Sequence, residues 1–594
     1  MAGLGGLGGL AACSDRESAG ADKPSATDTG GNALAEFHGA WSYELPPTGH
    51  FNLFTDLLNR VDLGPYLDLV MAPGGMWYWG EQQWLYLVCS NFEFGKKRFV
   101  YDVAKGLSWS NGEPITARDV ETTFWCRWIM HQREWDFIEG IRIDNDRRLT
   151  FELSRAASVL EYYLLRAHIF PTETYGSFAR RAKNLFEAGV DPDGPELAEL
   201  NNEFQGWRPE DPADLITSGP FRYDTESMTD ERIILVRNDG GVLADQVYFD
   251  RLVVHQGDTE NVKALLRNKE LDYVAQGVGS EQQARLENDG FRMVQPPTYT
   301  GAGLLFCLDK LPMFKDVRAR QAMAYLIDRN DAADIGLGDA ARPVESMAGM
   351  PEPFVIQWLL PGDRARLNTY YQSTDRATDL LVEAGWLRKE GRWHAPDGQP
   401  ATFELLVSDS ESSYQAVARK LVTQFESFGI RLKLTESPAS EIDQALAQGR
   451  FELAVHEWGS GNPHPYFCYE HDLIDENIPG SINQLGRGLG FELEQRSARY
   501  GTVDIEQLIE AAGSGMDRGK QRDAITKLAM THNELQPRIQ IFERYGNGAG
   551  LEGERVHAWP AAGDPIYQNS PFSDNHAVIL MYEGRLAPVV TEQS

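Results

Sequence analysis

Long apolar runs are the first thing missing from this 594-residue chain. No stretch reaches the roughly 18 consecutive apolar residues that a membrane-spanning helix needs, so the body does not cross a bilayer. Basic charge is also short: 88 Asp and Glu face 56 Lys and Arg, a net charge of -32. A surface that negative repels phosphate backbones and anionic headgroups, which argues against nucleic acid as a partner. The acidic residues are spread along the whole chain, as suits solubility in a salty or crowded medium. Cysteine is sparse. Cys13, Cys89, Cys126, Cys307 and Cys468 form no CxxC pair, and their separations do not fit structural zinc. Cys89, Cys126 and Cys307 sit among apolar neighbours and read as small buried hydrophobes. The four beyond Cys13 allow up to two disulfides, with no spacing that selects a pairing.

Catalytic signatures are lacking as well. His456-Glu457 begins like a zinc-protease HExxH but is followed by Ser460 where the second histidine belongs, so no metal ligand set results. Ser460 lies in Gly459-Ser460-Gly461 without the GxSxG spacing of a nucleophile elbow. Gly486, Gly488 and Gly490 alternate outside any βαβ context and make no phosphate cradle. With so many carboxylates, accidental pairs are unavoidable, and no spacing points to a secreted hydrolase such as a glycosidase. These failures predict a binding protein with no catalytic residues, no metal and no cofactor.

What is present is enough material for two or three domains. Residues 1–13 read MAGLGGLGGLAAC, and Leu10-Ala11-Ala12-Cys13 resembles a lipoprotein signal box with Cys13 as the lipidated residue. The basic segment that such a signal requires is absent, which implies further sequence before Met1. Residues 14–35 are Ser-, Ala-, Asp- and Gly-rich and read as a flexible tether. Beyond it, Thr116 followed by Asp119 predicts a capping box opening a helix with Val120, Phe124 and Trp128 on its apolar face. Asn111-Gly112 predicts a turn, 142–153 a hairpin and 156–167 a helix. Residues 189–214, rich in Pro, Asp and Glu, read as a surface insertion. Strands are expected at 231–237, 247–255 and 272–274, with helices at 259–266, 318–327 and 375–383. Residues 403–408, 414–428 and 430–435 predict a strand, helix, strand unit of the kind that builds mixed or parallel sheets. Residues 441–448 and 451–457 repeat that theme. Helices are expected at 505–512 and 518–535, and 577–582 reads as a short apolar strand.

Three segments resemble the family 5 extracellular solute-binding proteins, the peptide, nickel and oligosaccharide receptors of ABC importers. LSWSNGEPITARDVETTFW (107–125) is close to the pattern W-S-D-G-x-P-x-T-A-x-D-V, with Asn111 in place of the aspartate. SGPFRYD (218–224) resembles G-T-G-P-Y, with Ser218 and Phe221 substituted. FKDVRARQAMAYLIDRN (314–330) resembles D-V-R-x-R-x-A-x-x-x-A-I-D-R. Physically, Asp119 caps a helix, Asn111-Gly112 turns and Asp328-Arg329 ends a helix.

The resemblance implies an α/β, periplasmic-binding-protein-like type II two-lobed fold (cluster C) with an additional inserted domain. Lobe one would comprise 36–79, 207–300 and 536–594, the insert 80–206, and lobe two 301–535, with a hinge near Gly301–Phe306. It further implies a monomer on the outer face of the cytoplasmic membrane, or in a periplasm, held by lipid alone and docking on the permease of an ABC importer. Phe306-Cys307 departs from the family's usual Phe-Asn. Peptide-binding members hold the ligand's α-amino group on an aspartate in W-x-x-D; here Trp458 is followed by Gly461. A buried ammonium needs an anionic partner, which Glu457 or Glu470 would have to supply. The same stretch offers Asn462, His464, Tyr466 and Tyr469 beside Trp458, and Trp41, Trp77 and Trp79 would face them from lobe one. Aromatic faces with amide and hydroxyl groups suit sugar rings, so an oligosaccharide is expected ahead of a peptide, with nickel behind both. The Trp77-Tyr78-Trp79 stripe also fits alternate positions of a core strand.

Overall fold

The computed structural model describes residues 34–55, 61–211, 215–257, 259–275, 280–477, 488–546 and 548–589. Cys13 and the tether up to residue 33 lie outside them. The chain from Ala35 onward packs as one unit. Its largest sheet has six strands in the order Ala341–Pro343, Ile539–Tyr545, Pro297–Phe306, Leu453–Gly459, Thr402–Ser408 and Arg431–Ser437. The last two run parallel, joined by the helix Ser412–Phe428, as the alternation of patterns predicts. That helix stops at Gly429, which adopts φ +100 in the left-handed region open to glycine. A Cβ there would lie 2.3 Å from the Gly391 carbonyl oxygen.

Pro297–Phe306, the inbound strand, and Ile539–Tyr545, the return strand, lie side by side and antiparallel in the middle of this sheet. A three-stranded sheet of Tyr273–Val274, Gly548–Leu551 and Phe291–Val294 stands at the other end of both connections. The chain thus enters and leaves the large sheet through two adjacent strands. Two four-stranded sheets complete the frame. One pairs Glu36–Trp41 in parallel with Arg251–Gln256, followed by Arg232–Arg237 and Phe221–Tyr223. The other is an antiparallel array of Cys89–Phe94, Arg98–Val103, Arg148–Leu153 and Ile138–Asn145, and it contains the predicted 142–153 hairpin.

The helix Ala117–Ile129 opens with the predicted capping box: the Thr116 amide donates to Asp119 Oδ2 at 2.8 Å, and Thr116 Oγ1 accepts the Arg118 amide. Asp119 Oδ1 also takes the Thr172 amide, at 2.9 Å, so one buried carboxylate ties two helix starts together. The four cysteines beyond Cys13 are free and buried. Within residues 189–214, read as a surface insertion, Pro195–Gly206 is a helix burying Leu197, Leu200 and Phe204 under its polar face. Two expectations need correction. Residues 577–582 belong to a helix, His576–Tyr582, not a strand. Its start is fixed by Asn575 Oδ1, which accepts the Ala577 amide at 2.8 Å, and every residue is buried, so no two- or 3.6-residue period marks it. Asp328 does not end a helix but begins one: it accepts the Asp331 amide and caps Arg329–Leu337.

Candidate functional site

The hairpin of Gly75–Tyr78 and Gln83–Tyr86 sets Trp77 opposite Trp84, whose rings meet edge to face at 5.2 Å. Asn569 holds the turn side of this hairpin, donating to the Trp77 carbonyl at 2.7 Å and accepting the Trp79 amide at 3.1 Å. The Trp77 amide donates to Asp574 Oδ1. Clamped this way, Trp79 lays its ring on Tyr299 of the inbound strand, with centroids 3.9 Å apart and planes within 12°. Phe354 lies in the same orientation, 5.3 Å from Tyr299 and 6.0 Å from Trp79. Three remote segments thus contribute one set of parallel rings beside the paired strands. Among the described residues, the indole N–H groups of Trp77 and Trp79 are buried without a hydrogen-bond partner.

Beneath the hairpin, Arg166 bridges Asp68 at 2.8 Å and Asp574 at 2.9 Å, and His168 joins Asp68 at 2.7 Å. Burial pushes the Asp68 carboxyl up, but Arg166 and His168 outweigh it and hold it below the usual range. Burial wins at Asp574, which is pushed up to about 6 against the pull of Arg166.

Farther along, Arg133 reaches Asp475 at 2.8 Å and Glu470 at 3.2 Å. Glu470 also accepts the hydroxyls of Tyr163, at 3.0 Å, and Tyr466, at 2.8 Å. Burial raises Glu470 to about 7, with Asp475 adding to the push and Arg133 opposing it. Backbone bonds continue this junction: the Gly515 amide donates to the Ala156 carbonyl at 2.7 Å, and the Ser158 amide to the Gly515 carbonyl. The segment 133–163 is therefore joined to 466–515 by ions, hydroxyls and backbone together.

The other residues singled out from sequence take varied places. Trp458 is fully buried, and its indole N–H donates to the carbonyls of Ala302 and Phe542. Glycines at 301 and 303 let the ring cross the inbound strand, since a Cβ at 301 would come within 2.9 Å of the indole nitrogen. Trp41, half-buried, donates to Asp62 and meets Phe572 edge on at 6.2 Å; among the described residues its ring does not contact Trp458. Asn462 forms a turn, its carbonyl accepting the His464 amide. His464 Nδ1 accepts the Tyr466 amide and starts the short helix Pro465–Glu470; burial, reinforced by Arg518, pushes its pKa down to about 3. Tyr469 donates to the Ala348 carbonyl. Of the two substitute anions, Glu457 is partly exposed, and burial, opposed by Arg544, raises its carboxyl. Glu470 is occupied as described above.

His471, Asp472 and Glu476 bring candidate ligand atoms within 4.8 Å of one another. Arg538 already lies among them, 3.1 Å from Asp472 and 2.8 Å from Glu476. Burial alone would lower His471, but Glu476 and Asp472 outweigh it and raise it to about 9. With the Arg538 guanidinium among the carboxylates, the cluster forms an ion network.

A profile of the bacterial extracellular solute-binding proteins, family 5 (middle region), matches residues 95–478, more than half of the chain. The chain belongs to this family. Family 5 relatives include the oligopeptide-binding protein OppA of Bacillus subtilis, 24% identical over 492 residues that cover 80% of this chain and 82% of OppA. A probable ABC transporter-binding protein of Deinococcus radiodurans is 21% identical over 57% of this chain, and the match spans 59% of that relative's length. Among solved structures, AppA of B. subtilis in complex with a nonapeptide has a TM-score of 0.67 at 17% identity, covering 93% of this chain and 99% of AppA. A periplasmic oligopeptide-binding protein of Thermotoga maritima bound to mannohexaose has a TM-score of 0.68 at 17% identity, covering 91% and 98%. The two-lobed α/β architecture of family 5 is therefore the fold of this chain.

Sequence reasoning missed Tyr299, Phe354, Arg133 and Glu543. For Glu543 a signal existed: a glutamate interrupts the apolar run of IQIFERY, where a central strand favours apolar residues.

Proposed function

We propose that this chain is the extracytoplasmic receptor of an ABC importer, which closes two lobes over an oligopeptide and presents it to the permease. The observation that carries the reading is the paired inbound and return strands, flanked by parallel rings drawn from residues 79, 299 and 354. Two adjacent strands joining two bodies form a natural hinge, and closure around a ligand excludes water from the contacts made there. The proposed lobes are 36–79 with 207–296 and 546–594, carrying the insert 80–206, and 297–545, because Pro297–Phe306 and Ile539–Tyr545 both lie within the six-stranded sheet. On this division, the Arg133 bridge and the Trp79 stack both span the seam. The peptide assignment draws on OppA and on the nonapeptide complex of AppA.

An oligosaccharide is the second reading. The buried, unpartnered indole N–H groups of Trp77 and Trp79 beside stacked rings suit hydroxyl acceptors, and the Thermotoga neighbour holds mannohexaose. Melting-temperature shifts with peptide pools and with manno-oligosaccharides separate the two, because a ligand bound only by the folded form stabilises it. Shifts with peptides support the first reading, shifts with sugars alone move the assignment to the second, and no shift with either removes the receptor role. Lipid on Cys13 as the membrane anchor belongs to the same proposal; mass spectrometry of the N-terminal peptide from membranes tests it.

A further inference from the structure

Buried carboxylates in this protein are almost all matched by guanidinium groups. Among the described residues nine Asp or Glu side chains are buried, and seven face an arginine. Arg166 serves Asp68 and Asp574, and Arg538 serves Asp472 and Glu476. Arg127, Arg133 and Arg555 serve Glu134, Glu470 and Asp272. Of the remaining two, Asp119 is satisfied by the Thr116 and Thr172 amides at the helix starts. Glu543, on the return strand and only 3% exposed, has no ion pair among the described residues. It accepts the Glu352 amide, and the Glu352 carboxylate itself is nearby, held by the Ser346 amide and hydroxyl.

Glu543 pairs in register with Gly301, one of the two glycines that make room for the Trp458 ring. Gln540 pairs with Gly303, the other one. Its Oε1 accepts the Gly349 amide, while its buried Nε2 has no partner among the described residues. Phe354 of the ring stack follows Glu352 by two residues, and the stacked Tyr299 feels the Glu543 charge. Other titratable or charged groups around it are Tyr545 on its own strand, Cys468 on Pro465–Glu470, and Arg342 on the neighbouring strand. The Arg342 guanidinium lies over the Tyr545 ring at 5.1 Å and does not pair with Glu543. Burial pushes the Glu543 carboxyl up to about 8; the Glu352 amide opposes this and the Glu352 carboxylate adds to it. An unpaired buried acid beside a second acid is a site that a cation would stabilise, and neighbouring ring faces favour the same charge.

We propose that Glu543 is the counter-charge for a cationic amino group of the ligand, taking the role that Gly461 leaves unfilled in the W-x-x-D position. The inference rests on the peptide reading above. On binding, the carboxyl releases its proton to solvent and the ammonium replaces it.

The test is calorimetric titration of the full chain with a random pentapeptide pool lacking Lys, Arg and His, and with the same pool N-acetylated. The wild type is expected to bind the free-amine pool about tenfold or more tightly than the acetylated one. Glu543→Gln keeps an acceptor for the Glu352 amide and is expected to bind both pools alike. A wild-type chain that does not discriminate, or a Gln variant that keeps the preference, overturns the proposal. Titration of the wild type at pH 7 in two buffers of different ionisation enthalpy is an independent readout, because it needs no variant to fold. Proton release with the free-amine pool is expected, and its absence overturns the proposal. Binding of mannohexaose with neither pool overturns the amine anchor and the peptide assignment while leaving the receptor intact. Binding of none of the three overturns the receptor reading itself.

Discussion

Arg133→Ala tests whether the Arg133 bridge holds the proposed lobes together. The guanidinium is 22% exposed, Glu470 8% and Asp475 27%, so the cluster lies between the two limits for ion pairs. Breaking a fully buried pair costs about 3–5 kcal/mol, and an exposed one contributes about 0–1 kcal/mol. An intermediate value of about 2 kcal/mol is reasonable here. If residues 133–163 and 466–475 belong to opposed lobes, that energy is lost from the closed form only. Closure then becomes less favourable by the same amount, and ligand affinity falls about 30-fold. Each lobe keeps its own core, so the unfolding midpoint of the ligand-free protein shifts little. Calorimetric Kd and the thermal midpoint of the ligand-free variant are the two measurements. An unchanged Kd with a clearly lowered midpoint would refute the reasoning, because it would mean that the bridge acts within one folded body.

Glu543→Gln changes the pH dependence of stability. A buried acid whose folded pKa is raised to about 8 binds more protons folded than unfolded, so wild-type stability falls as pH rises from about 4.5 to about 8, by about 1.4 kcal/mol per unit from this group. Urea unfolding at pH 5 and pH 8 should show a smaller loss for the variant; an identical slope contradicts the assignment. Trp79→Ala removes the ring stacked on Tyr299 and is expected to weaken ligand binding about tenfold or more, with an accompanying stability loss. Trp458→Phe gives up two indole hydrogen bonds in the sheet interior and is expected to lower stability by about 1–3 kcal/mol while leaving Kd unchanged.

The strands and helices with a clear period were legible in sequence. Thr116 with Asp119 announced a helix start, and 403–435 announced a parallel unit. His576–Tyr582 was not, because a short segment buried on every side carries no period, and its Asn575 cap was the only cue. The candidate site was less legible. Trp77 and Trp79 stand out by composition, yet Tyr299 and Phe354 become their neighbours only when segments more than 200 residues away in sequence pack together. Trp458 attracts notice through its motif, but Gly301 and Gly303 draw its ring into the sheet instead. Charge pairing is equally non-local: nothing in the spacing reveals that Arg538 answers Asp472 and Glu476 while Glu543 has no such partner among the described residues.

The central claim is a receptor that closes over its solute by bending at two adjacent strands. Small-angle X-ray scattering of the full chain, with and without saturating pentapeptide pool or mannohexaose, tests it most directly. The account predicts a smaller radius of gyration with one of the two, matched by a rise in melting temperature. A solute that raises the melting temperature at saturation yet leaves the radius of gyration unchanged would contradict closure.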